Sequence, residues 1–416
     1  MAETGRSGNS GVSEHFVGQY RAFAANGASG APEWLRSLRE RAIARFAEVG
    51  FPTTRLEQWR FTNVQPIAET PFTLSGVRWE TGRVPAGATV STLGEAIQRW
   101  PDLVRAHLAR YAPVEANPFT ALATAFLADG LLVHVPAGTV IDEPIQLNCR
   151  IPPGAARPMA HPRLLIVLER AAQAKVVEIY NGASGVSLTN AVTEVVLQDG
   201  AHLELCREQR NDAQSYHIAT TQSHQGRDSR LVFTTVALGA ALSRHDINAV
   251  LDGSGAYLTL NGLSVLGQRQ HVDHHTTIEH AQPHCESHEY FNGIFDGESH
   301  GVFNGRIVVR PGAQRTDSKQ TNNNLLLSET ARADSQPQLE IYADDVKCTH
   351  GSTVGPLDPT ALFYLRSRGL GAAEARGLLT YGFGAEILDR IAIPGVREGL
   401  DRVIRDRLGV PELLAS

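Results

Sequence analysis

The chain has 416 residues, of which 42% are hydrophobic, 20% charged and 6% aromatic, and this composition excludes a disordered or collagen-like chain. Acidic residues outnumber basic ones by 44 to 38, so no global basic field recruits nucleic acid or an anionic membrane. Lysine occurs only at positions 175, 319 and 347 and never after glycine, which excludes a Walker A phosphate loop.

The cysteines indicate a reducing compartment. They stand at positions 149, 206, 285 and 348, too far apart for a CxxC pair or a dense disulfide framework. No run of 18 uncharged apolar residues occurs, and residues 1–11 are polar and glycine-rich without the apolar segment of an export signal. The sequence therefore predicts a cytoplasmic protein with no membrane segment.

Residues 1–115 are predicted to form an N-terminal helical region. Apolar residues recur at helical spacing from position 34 to position 49, after Pro32, which suits a first helical turn. Gly50 and Pro52 then predict the end of this helix. A second helical stretch is expected over 93–111.

Residues 116–352 are predicted to form a β core. Short alternating or β-branched runs of strand length follow one another, at 131–135, 164–168, 176–180, 192–197, 202–206, 231–236, 257–260 and 306–309. Turn signals separate them, and Asp199-Gly200 and Asp252-Gly253 each precede a new strand, as the corners of a solenoid do. The length of the segment favours a β-helix, which simply adds turns, over a sandwich or a jelly roll. The pattern alone leaves these architectures open.

Residues 353–416 return to a helical pattern and form the predicted C-terminal helical region. Asp358 is a good N-cap with Pro359 at the first helical position, and Gly369 follows as a stop. Further helical segments are expected over 374–379, 385–392 and 396–408.

A group of potential metal ligands, here called the histidine cluster, lies between positions 271 and 288. It comprises His271, Asp273, His274, His275, Glu279, His280, His284, Cys285 and His288. In a strand, His271, Asp273 and His275 share one face while His274 faces the other, so we expect the cluster to split. Pro283 argues against the helix that would align the later histidines. Two interpretations stay open: a polar solenoid surface or pairing edge, and a structural or regulatory metal site.

Cys348 and His350 form a second, smaller pair. They are two positions apart, so in an extended chain both side chains project from the same face, as shared ligation of a soft metal requires. A small buried cysteine beside a hydrogen-bonded histidine has the same spacing. Enzyme motifs such as GxSxG and HExxH are missing, and the neighbours Asp344 and Asp345 point apart in a strand, so they cannot act together on one bond.

A family resemblance rests on several specific segments. They are FNGR at 303–306, AQRTDSKQ at 313–320, NNNLLLS at 322–328, LEIYADDVKC at 339–348, LFYLRSRG at 362–369 and, near the N-terminus, PTTR at 52–55 and WRFT at 59–62. With these segments the chain resembles the SufB/SufD family of iron-sulfur cluster assembly proteins from about residue 50 onward. The run Cys348-Thr349-His350-Gly351 is similar to the SufD branch of that family.

The resemblance implies a mainly β fold, in which a right-handed, single-stranded parallel β-helix lies between N-terminal and C-terminal α-helical regions. It implies a non-catalytic scaffold subunit of the SufBCD complex, paired with SufB through the β-helix. The ABC-type ATPase SufC would dock on the C-terminal helical region, and ATP hydrolysis would belong to SufC.

The same resemblance implies that Cys348 and His350 are metal ligands for a nascent iron-sulfur cluster at the SufB interface, where the cluster is transient and shared with SufB. It leaves open whether a flavin of such complexes contacts this subunit and whether the isolated chain forms a homodimer. Two other classes also stay open. One is a β-helix polysaccharide lyase or hydrolase, and the other is a histidine-rich metal-binding protein.

Overall fold

The computed structural model describes residues 10–26, 30–128 and 130–410. Most of residues 1–11, on which the prediction of a missing export signal rests, lie outside the described residues. The helices of the described residues are α1 Ser10–Asn26, α2 Glu33–Val49, α3 Gln65–Glu69, α4 Leu93–Arg99, α5 Pro101–His107, α6 Pro118–Ala125, α7 Pro359–Ser367, α8 Ala372–Leu388 and α9 Pro394–Leu408, with a 3₁₀ turn at Glu57–Trp59.

Strands dominate the chain between these helices. In order they are β1 Thr73–Leu74, β2 Arg78–Thr81, β3 Thr89–Thr92, β4 Gly130–Val135, β5 Ile145–Arg150, β6 Pro158–Ala160, β7 Arg163–Leu168, β8 Gln173–Gly182, β9 Leu188–Leu197, β10 His202–Gln209, β11 Tyr216–Gln225, β12 Arg230–Ala237, β13 Leu242–Leu251, β14 Tyr257–Leu266, β15 His271–His280, β16 Glu286–Phe295, β17 His300–Val309, β18 Thr316–Leu326, β19 Arg332–Ile341 and β20 Val346–Gly355. Strands hold 41% of the residues against 26% in helices, which confirms a mainly β protein.

The strands coil into a solenoid of about 8 turns with two facing sheets. The even-numbered strands from β8 to β20 pair in parallel in one sheet, here sheet B, and the odd-numbered strands from β7 to β19 pair in parallel in the other, sheet A. Successive turns stack in register, as at His271 and His300. The β-helix expected from the strand spacing and from the resemblance is therefore confirmed.

The corners explain the Asp-Gly pairs. Gly200 has a φ of +67°, a conformation that residues with a side chain rarely adopt. Gly253 is required for a different reason, because a Cβ there would lie 1.9 Å from the backbone nitrogen of Arg227 in the corner of the preceding turn. Stacked corners approach too closely for a side chain.

Helices cover the outer face of each sheet. Phe16, Phe46 and Phe119 of the N-terminal region pack with outward-facing apolar residues of sheet A, including Leu165 and Ile218. This packing buries large apolar side chains that neither layer could bury alone.

On the other side, Ile387 of α8 and Leu400 of α9 pack against Leu263 and Ile294 of sheet B. The two helical regions expected from the resemblance thus flank the solenoid, one against each sheet.

Both sheets stop at the C-terminal end of the solenoid. Among the described strands β19 pairs with β17 and β20 pairs with β18, and each leaves its other edge unpaired. Pro337 lies within β19, and an edge strand is where a sheet tolerates proline. Within the described part of the chain, the solenoid therefore ends in two open edges.

Helix boundaries show where the sequence patterns were right and wrong. The helices ending at Gly50 and starting at Pro359 are as predicted, and the Asp358 carboxylate accepts from the Thr360 amide. Residues 374–379 and 385–388 form one helix, α8, rather than two. Helix α6 interrupts the segment read as purely β, because Asn117 caps it and Pro118 starts it. The division at 115/116 and 352/353 stays a prediction.

Candidate metal-ligand site at the open end

Cys348 and His350 lie on β20, at the open edge of sheet B. Both residues project from the same side of the strand, as their spacing predicts. In the pairing with β18, Ser318 stands beside Cys348 and Gln320 beside His350. Because Ser318 and Gln320 are each 1% exposed and face the solenoid interior, the pair continues the inner face of the solenoid to its open end.

The Cys348 thiol is half-buried, and the other three cysteines are buried. It packs at the margin of an apolar cluster formed by Ile307, Val309 and Leu339. Burial and the nearby Asp317 carboxylate raise the pKa of the thiol, which favours its protonated form.

His350 is exposed at the end of the interior. A neutral imidazole and a thiolate from one strand supply two ligands, and a four-coordinate iron needs two more. Two ligand-type side chains on one strand are too few to complete a four-coordinate iron.

A polar layer, here called the floor, lies in the interior directly beneath the pair. Ser318 Oγ lies 2.8 Å from Ser287 Oγ, which in turn lies 2.8 Å from His280 Nε2. Beside them, Gln320 Nε2 donates to Glu289 Oε2 over 2.6 Å. The floor thus consists of two short buried hydrogen-bonded chains, one below Cys348 and one below His350.

Glu289 is the one carboxyl group of this floor. It is completely buried, and burial raises its pKa to about 7, although the hydrogen bond from Gln320 opposes the shift. A carboxyl group near half ionisation at neutral pH therefore lies under the open end.

The histidine cluster is split, as the strand parity predicts. His271, Asp273 and His275 lie on the outer face of β15, whereas His274 lies inside the solenoid, where its Nε2 is 3.2 Å from Ser264 Oγ. His284 occupies a corner with φ of +62°, away from both groups.

The split leaves the histidine cluster without a metal site. Among residues 10–26, 30–128 and 130–410 no group of three or more His, Cys, Asp or Glu side chains is arranged to hold a metal ion. The hypothesis of a self-contained histidine-rich metal site thereby loses its structural support.

The outer part of the histidine cluster instead forms a seam with the segment 58–62. Thr62 Oγ1 donates to Asp273 Oδ2 over 2.5 Å, and Arg244 Nη1 donates to the same carboxylate over 2.8 Å. The Arg244 guanidinium lies over the Trp59 ring, 3.7 Å from its centroid. Burial opposes ionisation of Asp273, but Arg244 and His275 outweigh it and hold its pKa well below the usual range. The seam anchors the N-terminal region to sheet A and accounts for Trp59 and Thr62 of the WRFT motif.

These features define a β-solenoid protein whose last turn presents a thiol and an imidazole at an unpaired sheet edge. No helix within the described ranges is long and apolar enough to cross a membrane.

Comparisons with known proteins agree with this class. Residues 152–383 match the family described as "SUF system FeS cluster assembly, SufBD core domain", and residues 11–82 and 78–147 match the "SufBD protein N-terminal region". The chain belongs to the SufBD family of the SUF system for iron-sulfur cluster assembly.

Individual relatives are similar along nearly their whole length. An iron-sulfur cluster assembly SufBD family protein of Synechocystis is 32% identical, over 90% of this chain and 91% of that protein. The iron-sulfur cluster assembly protein SufD of Escherichia coli is 29% identical, over 93% of this chain and 95% of its own length. SufD of Bacillus subtilis is 26% identical over 91% and 94%. The resemblance to SufD noted in the sequence is thereby confirmed.

Proposed function

We propose that this chain is a non-catalytic scaffold subunit of a SufBCD-type complex, in which it contributes Cys348 and His350 to a nascent iron-sulfur cluster. One observation carries the proposal: the two ligand-type side chains stand together on β20, at the edge where both sheets stop. A cluster held there is cargo, because this chain supplies too few ligands to retain it alone.

The open edges support a homologous β-solenoid subunit, SufB, as the partner. An edge strand presents a row of unpaired backbone donors and acceptors, and pairing with a strand of another chain satisfies them. Such pairing at β20 brings the partner's side chains next to Cys348 and His350. The missing ligands then come from SufB or from sulfide, which keeps the cluster transferable.

Helix α7 supports the C-terminal region as the docking site for the ATPase SufC. Every side chain of α7 is at least partly exposed, and Phe363 and Tyr364 are 73% and 55% exposed. Large aromatic side chains on a helix that packs so little are typical anchors of protein interfaces. Since the sequence lacks a Walker A motif, ATP hydrolysis belongs to SufC. A cytoplasmic location and a flavin bound to the assembled complex stay predictions.

The ligand assignment is tested by co-expressing the chain with its SufB-type and SufC-type subunits and measuring iron and acid-labile sulfide in the purified complex. Cys348→Ser and His350→Ala should each lower both contents severalfold while the subunits still co-purify. Thr349→Ala is the matched control, because Thr349 is exposed between them and projects from the opposite side of the strand. Wild-type iron and sulfide in both ligand variants would refute the assignment.

The docking surface is tested separately by replacing Phe363 and Tyr364 with serine and measuring capture of SufC by the immobilised chain. Because both side chains are exposed, the variants should melt at the wild-type temperature yet bind SufC at least tenfold more weakly. Leu56→Ser is the control, since Leu56 is also exposed, at 52%, but lies in the N-terminal region. Unchanged capture by the double variant would exclude α7 as the docking element.

A further inference from the structure

A buried acceptor lies without a partner beneath the exposed histidine of the proposed site. Gln320 is 1% exposed, and its Oε1 has no hydrogen-bond partner among the described residues. A buried carbonyl oxygen without a donor destabilises the fold, which favours a hydrogen bond to a donor nearby.

The other arm of the Gln320 amide is already fixed. Its Nε2 donates to Glu289 Oε2, in the turn below, over 2.6 Å. The amide is planar, with its two arms diverging, so the oxygen is directed away from that carboxylate. Across the interior, a Cβ at Gly305 would lie 2.2 Å from Gln320 Nε2, so the glycine leaves just enough room for the amide.

Residues of four strands surround the Gln320 amide. Gly305 on β17 contributes no side chain, and Pro337, which pairs with it on β19, has no amide hydrogen. Glu289 already accepts from the nitrogen arm. On β20, His350 stands beside Gln320 in the parallel register, about 4.8 Å away along the hydrogen-bonding direction. Of these four neighbours, His350 alone has a side chain with a free N–H.

We infer that Gln320 is a positioning residue, whose Oε1 accepts the N–H of the His350 imidazole and so turns the opposite ring nitrogen toward the metal. Ligating histidines generally donate their second nitrogen to such an acceptor, which fixes the tautomer and the ring orientation. Glu289 contributes indirectly, by holding the Gln320 amide in the required orientation. The metal-facing part of this inference rests on the proposed function, but the hydrogen bond needs no metal: the two side chains stand side by side without this contact in the structure, and a rotation of the exposed His350 side chain forms it.

The test reads the His350 tautomer in the full-length, metal-free chain, using ¹⁵N-labelled histidine and long-range ¹⁵N–¹H NMR at pH 8, with the signal assigned by its loss in His350→Gln. In the wild type, one ring nitrogen should carry the proton. Gln320→Met keeps the side-chain length and removes the acceptor. In this variant the ratio of the favoured His350 tautomer to the other one should fall by about fivefold, which is the effect of one neutral hydrogen bond.

Two further variants separate positioning from folding. In the double variant Glu289→Gln with Gln320→Glu, the amide and the carboxylate exchange places. The new carboxylate at position 320 can accept hydrogen bonds from the amide at position 289 and from the His350 imidazole. The double variant should therefore restore the single tautomer. Ser318→Ala is the matched control, because Ser318 is equally buried on the same strand but stands beside Cys348.

The outcomes are decisive without any cluster being loaded. A wild-type chain with mixed tautomers, or a Gln320→Met variant with the wild-type ratio, overturns the inference and leaves a buried water as the partner of Gln320. If the tautomer responds as expected while His350→Ala leaves iron content unchanged, the positioning contact stands and the proposed ligand role fails.

Discussion

Glu289 makes the stability of the solenoid depend on pH in a direction opposite to that of most carboxyl groups. Burial raises its pKa to about 7 from an ordinary value of 4.5, so the folded chain holds this proton more strongly than the unfolded chain. The resulting stabilisation is fully present below about pH 4.5 and is lost as the pH rises through about 7. At about 1.4 kcal/mol per pKa unit, the loss amounts to about 3 kcal/mol.

The perturbation that isolates this term is Glu289→Gln, which keeps the shape and a hydrogen-bonding carbonyl but does not titrate. Urea unfolding followed by circular dichroism at pH 4.5, 6, 7 and 8 gives the free energy of unfolding of each protein. The free energy of unfolding of the variant, measured relative to that of the wild type, should rise by about 3 kcal/mol between pH 4.5 and pH 8. Every other titrating group is common to both proteins and cancels from this difference. Glu286→Gln, at an exposed position of the same strand, is the control. A difference between variant and wild type that is constant across this range would refute the reasoning.

Three further predictions concern folding. Arg163→Ala should lower the free energy of unfolding, measured in urea, by about 3–5 kcal/mol, because it leaves the buried Glu194 carboxylate without its ion-pair partner. A loss below about 1 kcal/mol would contradict a stabilising role for this ion pair. Thr62→Val removes a hydrogen-bond donor from the seam and should lower the free energy of unfolding by about 1–3 kcal/mol. Limited proteolysis should then cleave the N-terminal region faster, and an unchanged cleavage rate would count against the seam. Gly253→Ala should lower the melting temperature strongly, because its Cβ would clash with the backbone of the preceding turn. Gly267→Ala is the control, since open space surrounds Gly267, and it should leave the melting temperature unchanged. Equal melting temperatures of the two variants would contradict the steric requirement for glycine at this corner.

The architecture could be read from the sequence because the strands of a solenoid are regular and its corners are chemically marked. Runs such as 192–197 and 231–236 lie inside observed strands, and Asp199-Gly200 is a corner. Helix α6 could not be predicted from hydrophobic periodicity, because its residues are buried on all sides. A helix without a polar face shows no alternation of polar and apolar residues at the helical period.

The site could be predicted only in part. The parity of strand residues placed Cys348 and His350 on one face, but it could not say what lies beneath them. That depends on which residues pair between turns, and from β4 to β20 the offset between residues paired in parallel varies from 26 residues at Tyr216 and Leu242 to 33 at Gly130 and Arg163.

The polar floor was also hidden from hydropathy. In β18 the inward-facing residues Ser318, Gln320 and Asn322 alternate with Lys319 and Thr321, so both faces are polar and hydropathy cannot separate inside from outside. Only the coiling of the chain shows that one of the two polar faces is enclosed.

The proline in β19 makes the two open edges unequal. Proline in an edge strand directs its missing N–H toward solvent, so the donor row of sheet A is interrupted at Pro337, whereas β20 contains no proline and offers an unbroken row. A chain adding a complete further turn would have to pair with both edges at once. End-to-end growth into filaments, the hazard of an open solenoid end, is therefore disfavoured at sheet A, while sheet B remains free to receive a single strand.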